Sequence, residues 1–254
     1  MGTTGSAALY DTLGAGYAAR RRADPRIAAR VASALGDATT VVNVGAGAGS
    51  YEPDDRRVVA VEPSARMVRQ RPAGSGPAVR AVAEALPLRD RAVDAAMAVL
   101  TLHHWTDWRA GVAEMRRVAR GRVAVLTWDA AHPPFWLLRD YVPQIGEMDR
   151  GRFPPVAALR EAMGEGTTVE VVPVPADCTD GFLGAYWRRP ERYLDDGARA
   201  AMSGFAQLDP AIVDAAVARL SADLADRTWH ARNAALLDAD EWDLGYRLLV
   251  GDGG

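Results

Sequence analysis

The 254-residue chain contains no lysine; all 30 of its Lys and Arg positions are arginine. That absence removes the phosphate-binding loop of nucleoside triphosphatases, which needs Lys followed by Ser or Thr after its last glycine. A single cysteine, Cys178, excludes an intrachain disulfide framework and a cysteine-rich metal site. His103, His104 and His132 have no carboxylate at ligand spacing beside them, so no metal is expected. No apolar run approaches the ~20 residues of a membrane helix. The opening "MGTTGSAALYDTLGAGY" lacks a charged start followed by a long apolar core, so no secretory leader is expected. With a net charge of −3 there is no global field to draw the chain onto nucleic acid or anionic lipid. These absences lead us to expect a soluble, cytoplasmic protein that binds neither nucleic acid nor membrane. The Ala-, Gly- and Arg-rich composition reads as the codon bias of a GC-rich bacterial source.

What is present suits a globular core: 49% apolar and 25% charged residues. Residues 6–22 form an amphipathic pattern. "DPRIAARVASAL" follows, with Asp24 as cap, Pro25 in the first turn and Ile27, Val31 and Leu35 on one face. From there, short β-rich runs alternate with helical patterns. The runs are "TTVVNV", "RRVVAVE", "GPAVRAVAE", "VDAAMAVL" and "GRVAVLTW"; the helices are "SARMVRQR" and "DWRAGVAEMRRVA". The alternation predicts an α/β fold with a doubly wound parallel sheet. Past residue 130 the rhythm changes, with helices near 134–142 and 155–163, a sixth strand at 167–174 and a last strand at 245–250. Roughly 70 mostly helical residues separate those two strands, where a simple hairpin uses a handful. Such an insertion is either a cap over a site or an oligomer contact, a homodimer being the simplest.

The first strand runs into "VGAGAGSYEP", with Gly45, Gly47 and Gly49 at alternate positions. A dinucleotide loop would place Gly or Ala where Ser50 stands and would open a helix facing the pyrophosphate. Here "YEPDD", with Pro53, leaves almost no helix before the second strand. The remaining ligand is one whose backbone-facing part is neutral or zwitterionic. Glu62 ends the second strand, 17 residues after Gly45, where a carboxylate can accept both ribose hydroxyls of an adenosine.

Four segments in order, "VVNVGAGAGSYE", "VVAVEPSARMVRQR", "AVAEALPLRDRAVDAAMAVLTLHHWTD" and "EMRRVARGRVAVLTWD", resemble class I S-adenosylmethionine-dependent methyltransferases. The likeness is greatest to the small-molecule branch that includes quinone-pathway and natural-product enzymes. It covers about residues 5–130 and the closing strand. It implies a Rossmann-like seven-stranded sheet whose last strand is antiparallel, with a helical cap inserted between strands six and seven. It also implies S-adenosyl-L-methionine as cofactor. By that resemblance, Asn43, Gly45, Ala46, Gly47 and Gly49 lie beneath the methionine part and ribose. Glu62 binds the ribose hydroxyls, Pro63 and Met67 flank the adenine, and Ala83 and Glu84 approach its amino group. The stretch from Leu100 to His103 lines the methyl donor, and Tyr17 with Arg20 closes over it. The implied organisation assigns 1–36 to closing helices. A cofactor core spans 37–130, 166–174 and 244–254, and a cap and substrate region spans 131–165 and 175–243.

Methyl transfer to an activated donor needs positioning first, and a general base only where the acceptor loses a proton. His103 and His104, at the end of the fourth strand, are the catalytic candidates; adjacent residues point opposite ways, so at most one faces the methyl. The insertion concentrates Phe135, Trp136, Tyr141, Phe182, Tyr186 and Trp187. These are expected to form the cap's own core, with some lining a cavity for a flat or apolar small-molecule acceptor. Asp177, Cys178 and Asp180 are its polar candidates. The alternatives are an RNA or protein acceptor, or a binding protein without methyl transfer. Replacing Glu62 with Ala is expected to weaken cofactor binding by at least ~1.4 kcal/mol, about tenfold, because a charge-assisted bond to sugar hydroxyls is lost. An unchanged dissociation constant in calorimetry would contradict that placement.

Overall fold

A computed structural model describes residues 21–254. The predicted first helix, with Tyr17 and Arg20, lies outside the described residues.

Helix α1 (Pro25–Ala34) starts where its cap places it: the Asp24 carboxylate accepts the Arg26 amide at 3.0 Å. Ile27, Val31 and Ala34 form its buried face. Strand β1 (Thr40–Val44) leads through the glycine loop, which contains no helix, to β2 (Arg57–Val61). Helix α2 (Ala65–Arg69) is only five residues long, with Ser64 accepting the Met67 amide as N-cap. Strand β3 is reduced to Ala78–Val79. The longer run predicted at 76–84 leaves the sheet after Val79, and Val82, Ala83 and Glu84 turn across the strand ends to line a cavity. Then follow β4 (Ala95–Val99), α3 (Trp108–Val118, capped by Asp107) and β5 (Arg122–Trp128).

Beyond β5, the predicted helix near 134–142 is a π-helical turn, Leu137–Tyr141, in which the Val142 amide bonds the Leu137 carbonyl at 2.9 Å. Pro143 starts a separate helix that the periodicity did not reveal, α4 (Pro143–Arg150), followed by α5 (Val156–Met163). The predicted sixth strand is split. Strand β6 (Thr168–Val171) ends before Pro173, which has no amide to donate. Val174–Pro175 pairs instead with Glu241–Trp242 in a separate ribbon. The insertion between carries α6 (Asp196–Ala200), α7 (Pro210–Ala225) and α8 (Thr228–Arg232) before β7 (Tyr246–Asp252).

The sheet order is β3-β2-β1-β4-β5-β7-β6, and β7 runs antiparallel to both neighbours. Its central strands are buried on both faces, which explains their continuous Val and Ala runs. Trp136, which follows β5, and Trp187 and Trp229 of the insertion are fully buried, in a cluster continuous with the core on one face of the sheet. The Trp136 indole donates to the Trp187 carbonyl at 2.7 Å and meets the rings of Tyr141, Tyr193 and Trp229 edge-on.

One buried charge fastens the insertion to the glycine loop. Asp180, fully buried, accepts the Arg21 guanidinium at 2.8 Å and the Tyr51 hydroxyl at 2.8 Å. It is therefore not a polar group of a substrate cavity, as expected from sequence. Asp177 is exposed and pairs with Arg26, while burial pushes the Cys178 thiol up to about 12. Neither of these lines either of the two cavities described below. Replacing Asp180 with Ala removes a buried carboxylate that both the Arg21 guanidinium and the Tyr51 hydroxyl bond, and is expected to destabilise the protein by about 3–5 kcal/mol. Urea denaturation checks this; a loss below ~1 kcal/mol would show that the clamp is dispensable.

Candidate active site

At the carboxyl ends of β1, β2 and β4 lies a cavity of about 270 Å³. Asn43, Gly45, Ala46 and Gly47 form one side of it, from the end of β1 into the turn. Gly45 and Gly47 have φ of +69° and +53°, backbone that side chains rarely adopt. At Gly45 a Cβ would also collide with the Thr101 Oγ1. The chain at the end of β4 therefore passes directly against the loop. Leu100, between them in the wall, holds a φ of +51° without being glycine, a conformation that costs energy and concentrates at functional positions.

Glu62 occupies the wall at the end of β2 and is 7% exposed. Its Oε2 accepts the Gly47 amide and its Oε1 the Ser64 amide, both at 2.9 Å. The carboxylate thus joins the glycine loop to the cap of α2. Pro63 and Met67 continue this wall, and Ala83 and Glu84 stand further along it. The Glu84 Oε1 accepts the amides of Thr106 (2.7 Å) and Asp107 (3.0 Å), fixing the entry to α3.

Gly49, expected beneath the ligand, is not part of the cavity wall. Its φ is +88°, and a Cβ there would meet Arg71 at 3.0 Å and Glu52 at 3.3 Å. Those two side chains form a buried ion pair at 2.7 Å, and Asn43 donates to the same Glu52 carboxylate. Gly49 makes room for the pair that holds the loop from below.

The two histidines separate. Both lie in a 3-10 turn, Leu102–His104, with ring centroids 3.7 Å apart. His104 lines the large cavity, whereas His103, expected beside the cofactor, lines a second cavity of about 80 Å³. Burial holds the His104 imidazole down at about 3 and His103 well below its ordinary range, with Arg152 and Arg21 adding repulsion. Both rings are neutral at physiological pH. The second cavity is mainly apolar and aromatic; Phe135 and Phe182 of the insertion reach it, while Trp136, Tyr141, Tyr186 and Trp187 do not. Arg21 and Leu100 line both cavities.

Sequence reasoning missed Tyr51 in the large cavity, and Trp128, Asp149, Phe153 and Tyr246 in the small one. Asp149 carried a signal: it stands four residues after Ile145, on the buried face of α4. Among the described residues no group of three or more His, Cys, Asp or Glu is placed to hold a metal, and no helix is long and apolar enough to cross a membrane.

Residues 42–126 match the family model described as a methyltransferase domain. A crystal structure from Anabaena variabilis ATCC 29413, assigned as a methyltransferase from an antibiotic biosynthesis pathway, is 31% identical with a TM-score of 0.86. That match covers 91% of this chain and 98% of that one. Geranyl diphosphate C-methyltransferase from Streptomyces coelicolor A3(2), bound to geranyl diphosphate and S-adenosyl-L-homocysteine, has the same fold at 18% identity. Its TM-score is 0.50, over 90% of this chain and 78% of that one. Phosphoethanolamine N-methyltransferase 2 from Haemonchus contortus aligns at 12% identity and a TM-score of 0.54, over 91% of this chain and 53% of that one. No curated protein sequence matches the chain.

The chain belongs to the class I S-adenosylmethionine-dependent methyltransferases. It is an enzyme, and S-adenosylmethionine is its cofactor, supplying a methyl group activated on a sulfonium sulfur. The large cavity suits a cationic nucleoside. It offers a buried carboxylate and a backbone floor; its histidine is neutral, and its Arg21 charge is paired with Asp180. Replacing Gly45 with Ala, which drives a methyl group into Thr101, is expected to weaken S-adenosylhomocysteine binding by more than about tenfold, ~1.4 kcal/mol. An unchanged dissociation constant in calorimetry would show that the loop does not define the cavity.

Proposed function

We propose that this enzyme methylates a small organic acceptor held in the second cavity, beneath the insertion. The observation that carries this reading is the shared wall: Leu100 and Arg21 border both cavities, so donor and acceptor meet across the end of β4. Glu62 would grip the ribose hydroxyls, Pro63 and Met67 would flank the adenine with Ala83 and Glu84 beyond it, and Asn43, Gly45, Ala46 and Gly47 would pass under the amino-acid end. The methyl would then point past Leu100. Bringing the reacting atoms to near-attack distance supplies most of the acceleration, up to ~7–11 kcal/mol.

An 80 Å³ cavity walled by aromatic rings accommodates a compact molecule, not a polymer segment. The net charge of −3 gives no general attraction for RNA. The assigned role of the Anabaena variabilis relative supports bacterial specialised metabolism as the setting.

The purified enzyme, given methyl-labelled S-adenosylmethionine and a bacterial extract, is expected to move label into the small-molecule fraction. Prior treatment of the extract with nuclease or protease is expected to leave that transfer unchanged. Label found only in material that nuclease or protease destroys would contradict the small-molecule reading.

A further inference from the structure

Among the described residues that line the second cavity, Asp149 is the only carboxylate. Its position follows from α4, whose Ile145 is fully buried one turn earlier on the same face. The Asp149 carbonyl accepts the amides of Arg152 (3.0 Å) and Phe153 (2.9 Å), which folds the chain back just after the helix. Phe153 is thereby stacked on His103, with centroids 4.2 Å apart, and meets Trp128 edge-on at 5.4 Å. Carboxylate, imidazole and two aromatic rings share one small space against Leu100.

The groups that face Asp149 differ in what they can do with a proton. Burial raises its carboxyl to about 6, with Arg152 opposing the rise. A raised carboxyl is protonated below that value and ionised above it, so Asp149 is a carboxylate at neutral pH while remaining more basic than an ordinary one. His103 is held far below its usual range and is a weaker base. The Tyr246 phenol is raised by burial, and its oxygen accepts the Gly184 amide at 3.3 Å. Arg21 is paired with Asp180, and Arg152 donates to Gln207. Asp149 is accordingly the group in this cavity that changes charge between about pH 5 and pH 8.

The charges also select the acceptor. The Arg152 charge and the sulfonium nearby disfavour a cationic amine, and the Asp149 carboxylate disfavours an anion. A neutral molecule that becomes anionic only as it reacts avoids both penalties and gains from the Arg152 charge. Trp128, Phe135, Phe153 and Phe182 give it flat apolar walls. Resting on the methyl-transfer reading above, we infer that the acceptor is a flat, uncharged molecule presenting a phenol- or enol-type hydroxyl, and that Asp149 takes its proton. As the oxygen–methyl bond forms, the O–H bond passes its proton to the Asp149 carboxylate. The pair from the broken carbon–sulfur bond stays on sulfur, and Asp149 later releases the proton to water. The products are a methyl ether, S-adenosylhomocysteine and one proton.

The test uses the full chain saturated with S-adenosylhomocysteine and three probes: 4-methylphenol, its methyl ether 4-methylanisole, and 4-methylbenzylamine. At about pH 7.5 the phenol is expected to bind at least about tenfold more tightly than the ether, as a hydrogen bond to a buried carboxylate allows, and more tightly than the amine. That preference is expected to fall below about threefold in Asp149→Asn, to persist in Asp149→Glu, and to weaken with a midpoint near pH 6. His103→Gln is expected to leave the midpoint in place. The inference is overturned if the preference ignores both pH and Asp149→Asn, if the amine binds best, or if the loaded protein binds neither phenol nor ether. Failure of S-adenosylhomocysteine itself to bind is a separate result, and would strike the methyl-transfer reading instead.

Discussion

The Glu62 carboxylate, bonded on one side to the Gly47 amide and on the other to the Ser64 amide, sets the shape of the large cavity. Each bond joins an ionised acceptor to a backbone donor in a site that is nearly closed to water, where such bonds are strongest. One bond fixes the turn after β1; the other fixes the start of α2. Because α2 is five residues long and no helix follows the glycines, this carboxylate replaces the helix terminus that would otherwise order the loop. Beneath it, the Glu52–Arg71 pair and Asn43 close the loop from the opposite side, in the space that Gly49 leaves open.

A second constraint relates this core to the insertion. Asp180 draws together Arg21, Tyr51 and its own loop, so the segment before α1, the glycine turn and the insertion share one buried charge. Such a pair contributes little net stability once desolvation is subtracted, but breaking it is costly. Its place between the cavities fits a role in geometry: Arg21, the cation it neutralises, borders both. The neutrality of His103 and His104 fits the same requirement, since further positive charge beside a sulfonium would oppose binding.

Much of the large cavity was legible in the sequence because its signals are local. The β-rich run ending in alternate glycines, the acidic residue closing the next strand, and the Asp24 cap all act within a few residues of themselves. Asn43, Gly45, Ala46, Gly47, Glu62, Pro63, Met67, Ala83, Glu84 and Leu100 do meet around one cavity. The second cavity, where we propose the acceptor sits, was not legible, because it is assembled from distant pieces: Trp128 from β5, Asp149 from α4, Phe182 from the insertion and Tyr246 from β7. Helix α4 is interrupted from the preceding turn by Pro143, which blurred its period. The aromatic run in the insertion revealed a core but not which two of its rings, Phe135 and Phe182, would face inward to the cavity. Gly49 misled for a related reason, since the ion pair it accommodates brings together residues 52 and 71.

The central claim is that the cofactor's sulfur points across Leu100 into the aromatic cavity. A crystal structure of the enzyme with S-adenosylhomocysteine tests it most directly. The account predicts the ribose hydroxyls within hydrogen-bond distance of Glu62 and the sulfur at the Leu100 boundary, facing Asp149 and Phe153. A nucleoside bound in the reverse sense, with adenine at Leu100 and sulfur remote from the second cavity, would contradict it.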